Sequence, residues 1–503
     1  MRPQEDLFQL IHSLGKHEKR FFKLSASKGK GEKQYMQLFD SIVRQSEYNA
    51  EEICRKLGIN KNVLAVQKNY LQGLLLDCMT SLHSSHGTEV KKLILQADFL
   101  FSKGLYGHHQ KILGKAKKLA QHFEMGNHLL EILQMEHMLA WKNQDLLHAA
   151  SAIEEEKKIL EKLNNERQYT HLANEIITQI IRMGDYRNVQ DIKKINALLK
   201  NPLMKNEKNA LTFRSKYSLY HTLYTYHNIK GNLKEQYLFA KKAAGLYDEH
   251  PEKIKYNTMT YLYSLYNLMY VCNAMKKYDE AKIYSDALHK NSSLLTSELE
   301  KTWAFYIFHE NNLNYYMHTG RFEEGLPSTE KLVAELNVFS EKLQGPQKIF
   351  LYFHIAKIFF GAKRYNSALD WLNKLTSDEQ HLRINPDHES NVKIFYLIVH
   401  FEKGNTELLP YLAKSLYRYL LSKKKLFKFE NIILNFLEKK ILKIKTRKEL
   451  IEEFIKLKME LVPLEKDPKE SAPFKEFDYI AWLKSKIENR PFAEMVKEKA
   501  AHI

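Results

Sequence analysis

Seven times along this 503-residue chain, a short turn carrying Gly or Lys is followed two residues later by Tyr, Phe, Leu or Thr. The turns start at Gly104, Gly184, Gly231, Lys276, Gly320, Lys363 and Gly404, and the +2 positions hold Tyr106, Tyr186, Leu233, Tyr278, Phe322, Tyr365 and Thr406. At +12 stand Ala116, Asn196, Ala243, Leu288, Leu332, Leu375 and Leu416. Seven residues before each turn stand Ala97, Ile177, Tyr224, Met269, Leu313, Ala356 and Leu397, all apolar. Apart from one long gap the turns lie roughly 41 to 47 residues apart, the spacing of an array of helix pairs. Fixed offsets on both sides of each turn mean that both helices of a pair bury one side. A chain so built grows by adding neighbours and presents an extended surface rather than a closed central core. The expectation is therefore a binder, with no enclosed active site.

Around Gly231 the pattern predicts a first helix from about Asn209 to Asn228, a turn at Lys230-Gly231-Asn232, and a second helix to about Tyr247. Pro251 stops that second helix, because proline cannot continue it. The second helices carry one apolar stripe each: Ala281, Tyr284 and Leu288; Ala368, Trp371 and Leu375; Leu409, Leu412 and Leu416. The motifs Lys277-Tyr278-Asp279-Glu280-Ala281 and Lys363-Arg364-Tyr365-Asn366-Ser367-Ala368, with Gly184-Asp185-Tyr186 and Gly320-Arg321-Phe322, resemble the tetratricopeptide repeat (TPR) family. The resemblance covers residues 88 to 420 and implies a TPR-like helix-pair solenoid, a right-handed superhelix with a tyrosine packed after each turn. The family repeat is about 34 residues. The longer spacing here, with Tyr224 and Met269 where a small residue is expected, implies longer, wider-set helices. The gap between Gly104 and Gly184 fits an eighth unit turning near Lys142-Asn143-Gln144-Asp145.

Composition agrees with an all-α class. Gly and Pro number only 18 and 11, and no sustained apolar/polar alternation marks a strand. The start, Met1-Arg2-Pro3-Gln4-Glu5-Asp6, has no apolar run behind a basic segment, so no secretory signal is expected. The greasiest stretch, Ile349 to Phe360, is broken by His354 and Lys357, so no membrane span is expected. Cys54, Cys78 and Cys272 lie far apart without metal-ligand spacing and read as reduced thiols in a cytoplasmic protein.

Charge is uneven. The net is +18, of which Lys16 to Lys33 supplies +5 and Lys414 to Lys448 supplies +10. Concentrated positive charge points toward a polyanion or an acidic partner. The candidate contacts are Arg20, Lys23, Lys28, Lys30, Lys61, Lys68, Lys423, Lys424, Lys425 and Lys428.

Residues 1 to 87 lack the repeat and form a helical N-terminal module. Ala50 to Ile59, a brief turn, and a helix from Asn60 to Cys78 have the outline of helix-turn-helix. Asn60, Lys61, Asn62 and Lys68 would then face bases, while Val63, Leu64 and Val66 would bury much of that helix in the alternative, a capping bundle. The Ser27 to Lys33 loop lacks phosphate-loop spacing. From 421 to 462 the chain alternates Lys with apolar residues, predicting helices with one greasy and one basic side. From 463 to 503, a proline-punctuated linker leads to Phe474, Phe477, Tyr479 and Trp482 on a terminal helix reaching about Glu488. That helix is expected to cap the last repeat or to lie in the protein's own groove and compete with a partner.

A search for chemistry finds no metal-binding spacing among His83/His86, His108-His109 or His122/His128/His137, and no nucleophile, kinase or dinucleotide motif. Glu154-Glu155-Glu156 and Glu323-Glu324 sit at helix starts, where acids favour the helix dipole. The function expected is a non-enzymatic intracellular scaffold, without cofactor, holding a protein or peptide partner in the groove, with Tyr217, Tyr220, Tyr224 and Tyr226 as candidate contacts. The alternative is a nucleic-acid- or ribosome-binding regulator using the basic N- and C-terminal faces. In outline it is similar to bacterial peptide-sensing transcription regulators.

Overall fold

What makes each turn tight is one residue in the left-handed region. Gly104, Gly231, Gly320 and Gly404 take φ of +74°, +65°, +69° and +86°, and Lys276 and Lys363 take +61° and +59°. At every one, the corner N–H returns to the carbonyl three residues back and the next N–H to the carbonyl five back. Leu105 N bonds Leu100 O at 2.9 Å, and Lys277 N bonds Cys272 O at 2.8 Å. This is the double closure that satisfies the last carbonyls of a helix and reverses the chain. Glu124 and Gln144 form the same corner at φ +52° and +55°. Gln144 lies where the eighth unit was expected; Glu124 is an additional corner. The Gly184 turn lies outside the described residues.

The computed structural model describes residues 5–26, 34–82, 86–183, 195–377, 386–422, 426–441, 444–467 and 470–501, with no strand among them. By contact density the chain divides into two compact units, Met1–Arg167 and Gln168–Ile503; the expected repeat region, 88 to 420, runs across that division.

The first unit opens with five helices: α1 (Asp6–Ser13), α2 (Lys16–Ala26), α3 (Gln34–Val43), α4 (Ala50–Leu57) and α5 (Lys61–Leu82). They enclose a small core of Leu7, Ile11, Phe22, Phe39, Ile42, Ile53, Leu71 and Leu75. Between α4 and α5 the chain turns on Gly58 at φ +64°, and Asn60 Oδ1 accepts from Val63 N at 2.9 Å. The helix-turn-helix outline is therefore formed locally. Leu64 is buried, while Val63 and Val66 stand exposed, so of the three residues named for the capping-bundle alternative Leu64 alone faces the core. Helices α6 (His86–Ser102), α7 (Tyr106–His122), α8 (Gly126–Lys142) and α9 (Leu146–Met183) follow, joined by the corners at 104, 124 and 144. The division between the units falls inside α9.

The second unit contains five helix pairs. They are α10 (Phe213–Ile229) with α11 (Leu233–Glu249), α12 (Thr258–Ala274) with α13 (Tyr278–Ser292), α14 (Glu298–His318) with α15 (Phe322–Phe339), α16 (Gly345–Gly361) with α17 (Tyr365–Ser377), and α18 (Pro386–Lys403) with α19 (Leu409–Ser422). Side chains start both helices of the first pair: Thr212 Oγ1 accepts from Ser215 N at 3.1 Å and Asn232 Oδ1 from Glu235 N at 3.3 Å. Each second helix packs on its partner and then on the next pair, an order compatible with a helical-repeat stack. The −7 residues Tyr224, Met269, Leu313, Ala356 and Leu397 are buried, as are Ala243, Leu288, Leu332, Leu375 and Leu416 at +12.

Residues at +2 do more than pack within their own pair. Tyr278 stacks on His318, with ring centroids 5.1 Å apart. A Cβ added at Gly361 would lie 2.2 Å from the Phe322 ring, and Tyr365 donates its hydroxyl to Glu402 at 3.4 Å. Each partner stands two residues before the following corner, so the +2 side chain clips one pair to the next. In the first unit, Tyr106 makes the same contact with Lys142, at 4.6 Å from ring to ammonium.

Past the fifth pair, α20 (Lys428–Asn435) runs into a wider π turn at Phe436–Lys440, and α21 (Arg447–Leu461) packs beside them. The expected greasy side is present in Phe429, Ile433, Leu434, Phe436 and Leu437, all buried. Beyond α21 the described residues hold a short helical turn at Ala472–Glu476 and then α22 (Tyr479–Ile487) and α23 (Phe492–Ala501), where one terminal helix was expected.

Candidate ligand-binding groove

Where the last two helices go decides how much of the repeat surface stays open. Phe477 meets Phe360 and Phe395 at 5.5 and 5.0 Å, and Phe492 meets Phe322 and Phe360 at 5.5 and 5.6 Å. Trp482 Nε1 donates to Glu402 at 2.7 Å, Lys486 pairs with the same carboxylate, and Lys357 pairs with Glu476 at 3.2 Å. These contacts lie on α16 and α18, the first helices of the last two pairs, and on Phe322 at the start of α15. The C-terminal segment thus lies against first-helix surface, and it does so as core: Phe477, Tyr479, Trp482 and Leu483 are all buried.

The equivalent face of α10, α12 and the N-terminal half of α14 is left with aromatic side chains. Tyr217 and His221 stand on α10, Tyr263, Tyr266 and Tyr270 on α12, and Trp303, Tyr306 and Glu310 on α14. Trp303 bridges two helices, 4.6 Å from Tyr263 and 6.0 Å from Tyr266. Tyr306 continues to Phe350 on α16 at 6.1 Å. Tyr263 and Tyr270 are 43% and 48% exposed, and the others are half-buried.

Desolvation marks several groups on this surface. Burial raises the Tyr217 and Tyr306 phenols and lowers the His221 imidazole, although all three keep solvent contact. His318 remains exposed, yet the surrounding protein pushes it down to about 4. Loss of hydration disfavours the charged form of each group. Burial also pushes the Glu310 carboxyl up to about 7, against the opposing pull of a hydrogen bond from Tyr306. Beside the C-terminal segment lies a cavity of about 310 Å³ lined by Asn314, His318, His354, Lys357, Glu476 and Lys499.

Of the four tyrosines expected as groove contacts, Tyr220 and Tyr224 are buried. Tyr220 donates to Glu207 at 3.0 Å, and Tyr226 donates to Asn196 at 2.7 Å. Tyr217 is on the open stripe, packed on His221 at 5.9 Å. Sequence reasoning did not single out Tyr263, Tyr266, Tyr270, Trp303 or Glu310. A signal was available: ten residues before successive corners stand His221, Tyr266 and Glu310, all polar and half-buried.

The basic candidates are scattered. Arg20 is exposed, Lys23 pairs with Asp40 at 2.6 Å, and Lys61 pairs with Glu51 at 3.0 Å. Lys68 donates to the Tyr48 hydroxyl at 3.0 Å. The Lys428 side chain is exposed, and its backbone N–H donates to Glu470 at 3.3 Å. Lys28, Lys30, Lys423, Lys424 and Lys425 lie outside the described residues. Nearby, Lys440 meets Glu453 at 3.4 Å.

For chemistry, no group of three His, Cys, Asp or Glu among the described residues could hold a metal ion. Burial pushes the Cys272 thiol up to about 12, so it carries no thiolate at neutral pH. His109 gives Nδ1 to the Ala97 carbonyl at 2.8 Å, and Glu155 pairs with Lys117 at 2.7 Å; both serve packing. No described helix is long and apolar enough to cross a membrane. No protein-family model matches this chain, and no curated protein matches it.

Proposed function

We propose that this chain is a non-enzymatic scaffold, a TPR-like helix-pair solenoid that holds a segment of a protein partner in the groove of α10, α12 and α14. One observation carries the reading: a run of rigid, partly exposed aromatic side chains on three successive first helices. Tyrosine and tryptophan offer large contact area at low entropic cost and dominate recognition surfaces. Charged side chains are sparse along the stripe, which favours a mainly uncharged, extended peptide over a nucleic-acid backbone. Free Cys54, Cys78 and Cys272 fit a cytoplasmic location.

The test is panning of a displayed random-peptide library against the full chain. Enriched sequences should share a motif and lose at least tenfold in affinity for Trp303→Ala or Tyr263→Ala. Absence of enrichment, or binding indifferent to both substitutions, sinks the reading. A nucleic-acid or ribosome partner has less support, because Lys23, Lys61 and Lys440 each have a carboxylate partner. Binding to RNA or DNA that falls steeply with salt would reverse that preference.

A further inference from the structure

Charges in the second unit are generally matched. Glu402 meets Lys486 and the Trp482 indole, Glu476 meets Lys357, Glu389 meets Lys393, and Glu335 meets His309 and Lys331. Glu310 differs. It is half-buried at mid-groove, and among the described residues no cation faces it; its neighbours are the Tyr306 hydroxyl on its own helix and Tyr266 across on α12. From α16, Phe350 packs on Tyr306, and His354 follows one turn on, its Nδ1 engaged with the Phe350 carbonyl. Further along α12 and α14, Tyr263, Tyr270 and Trp303 complete the aromatic surround. A carboxylate desolvated without a counter-ion is costly to keep. Tyrosine and tryptophan faces beside it present the negative side of their quadrupoles, so they attract a cation and offer an anion nothing.

We infer that Glu310, with Tyr266, Trp303 and Tyr306, forms a subsite for one lysine or arginine side chain of the bound segment. This rests on the scaffold reading and sharpens it by naming the partner's chemistry. The aliphatic stem lies along the rings and the cationic head reaches the carboxylate, the mode by which long basic side chains bury their stems. Among the described residues no other acid shares the subsite, so one basic residue is selected rather than a basic run. Because the carboxyl titrates near neutrality, capture of the cation expels a proton whenever the acid was protonated. Affinity therefore rises with pH through about 7 and levels off above it.

An array of acetylated dodecamers, each carrying a single Lys, Arg or norleucine at a varied position, tests this on the full chain. The strongest binders should carry Lys or Arg at one register and weaken at least tenfold when norleucine replaces it. They should bind roughly tenfold tighter at pH 8 than at pH 6, the change in the ionised fraction of a group titrating at 7. Glu310→Gln keeps the shape and can still bond Tyr306; it should erase both the cation preference and the pH response while binding the norleucine peptides as before. Trp303→Leu should weaken the Lys and Arg peptides and leave their pH response in place. Binding with no cation preference, or a preference that survives Glu310→Gln, overturns the subsite and spares the scaffold. Failure of every peptide to bind overturns the scaffold reading and this inference with it.

Discussion

The two units use one corner for different ends. In α6 to α9, tight corners recur every twenty residues, at 104, 124 and 144, so both ends of a helix carry the same three-residue reversal. In the second unit only alternate connections are tight, and the chain between pairs, as at 250–257 or 293–297, is longer. The first arrangement leaves apolar side chains uncovered among the described residues: Leu95, Phe99, Met138, Trp141 and Leu147 are 57 to 85% exposed. The second brings its C-terminal helices against comparable helix faces and buries Phe477 and Trp482 there. The lesson is that the corner fixes the helix pair, whereas what covers the pair's outer faces comes from distant chain.

A pair of tryptophans tests that contrast most strongly. Trp482 is 1% exposed and bonded to Glu402, while Trp141 is 59% exposed. Trp482→Ala should cost about 3–5 kcal/mol, the range for deleting a buried aromatic, read as a shifted urea midpoint. Trp141→Ala should stay within about 0.5 kcal/mol. Removing residues 464–503 should lower solubility, since Phe360 and Phe395 would lose their cover. A soluble truncation that binds peptides more tightly would instead make the tail a displaceable ligand.

Corner glycines give the next contrast. Gly320 faces α23 so closely that an added Cβ would lie 2.5 Å from Ala493 O and 2.7 Å from Lys497 N. At Gly104 the nearest atom is 4.0 Å away. Both need a left-handed conformation, so Gly104→Ala should cost about 1 kcal/mol from backbone strain alone. Gly320→Ala adds the displacement of a helix backbone and should cost about 3 kcal/mol. Equal losses would show that α23 yields freely.

The corners were legible because a left-handed residue between apolar stripes leaves fixed offsets. The Glu124 corner was not, and its neighbours explain why. Its −7 and +12 positions hold Lys117 and Glu136, which bond each other at 2.7 Å; an ion pair replaces the apolar contact on which the pattern depends. The groove was half-legible. Tyr217 stands half-buried on the stripe, yet buried Tyr224 and exposed Tyr270 stand on first helices of the same aromatic composition. Helix α12 is apolar on nearly every side, so periodicity could not separate its core from its open face. The C-terminal aromatics plainly needed a dock, but the Lys357–Glu476 pair spans 119 residues, beyond any local signal.

Acid should separate the units further. His309 is 2% exposed, and burial pushes it down to about 4 despite its bond to Glu335 at 3.0 Å. Its folded value lies below the unfolded one, about 6.5, so the unfolded chain binds the extra proton between those limits. The stability is complete above pH 6.5 and is lost as pH falls toward 4, about 2 kcal/mol by pH 5. In the first unit His128 is also lowered, but it is only half-buried. Hydrogen exchange followed from pH 7 to 5 should therefore show α14 and α15 losing protection ahead of α7 and α8. The reverse order would mean that the charged Glu335 compensates the imidazolium in full.

The smallest effect lies in the corners that lack glycine. Glu124 and Gln144 hold φ of +52° and +55° with a Cβ present, and Lys276 and Lys363 do the same in the second unit. Glycine accepts this region without steric cost, though it loses more entropy on folding. Gln144→Gly should gain about 0.5–1 kcal/mol, raising the melting temperature of its unit by a few degrees. Lys363→Gly should gain as much, because the backbone closure is the same: Gln144 N reaches Trp141 O at 3.1 Å, and Lys363 N reaches Phe360 O at 2.9 Å. If only one of the two responded, the side chain at the other corner would be contributing something its backbone does not, and the corner would cease to be an interchangeable part of both units.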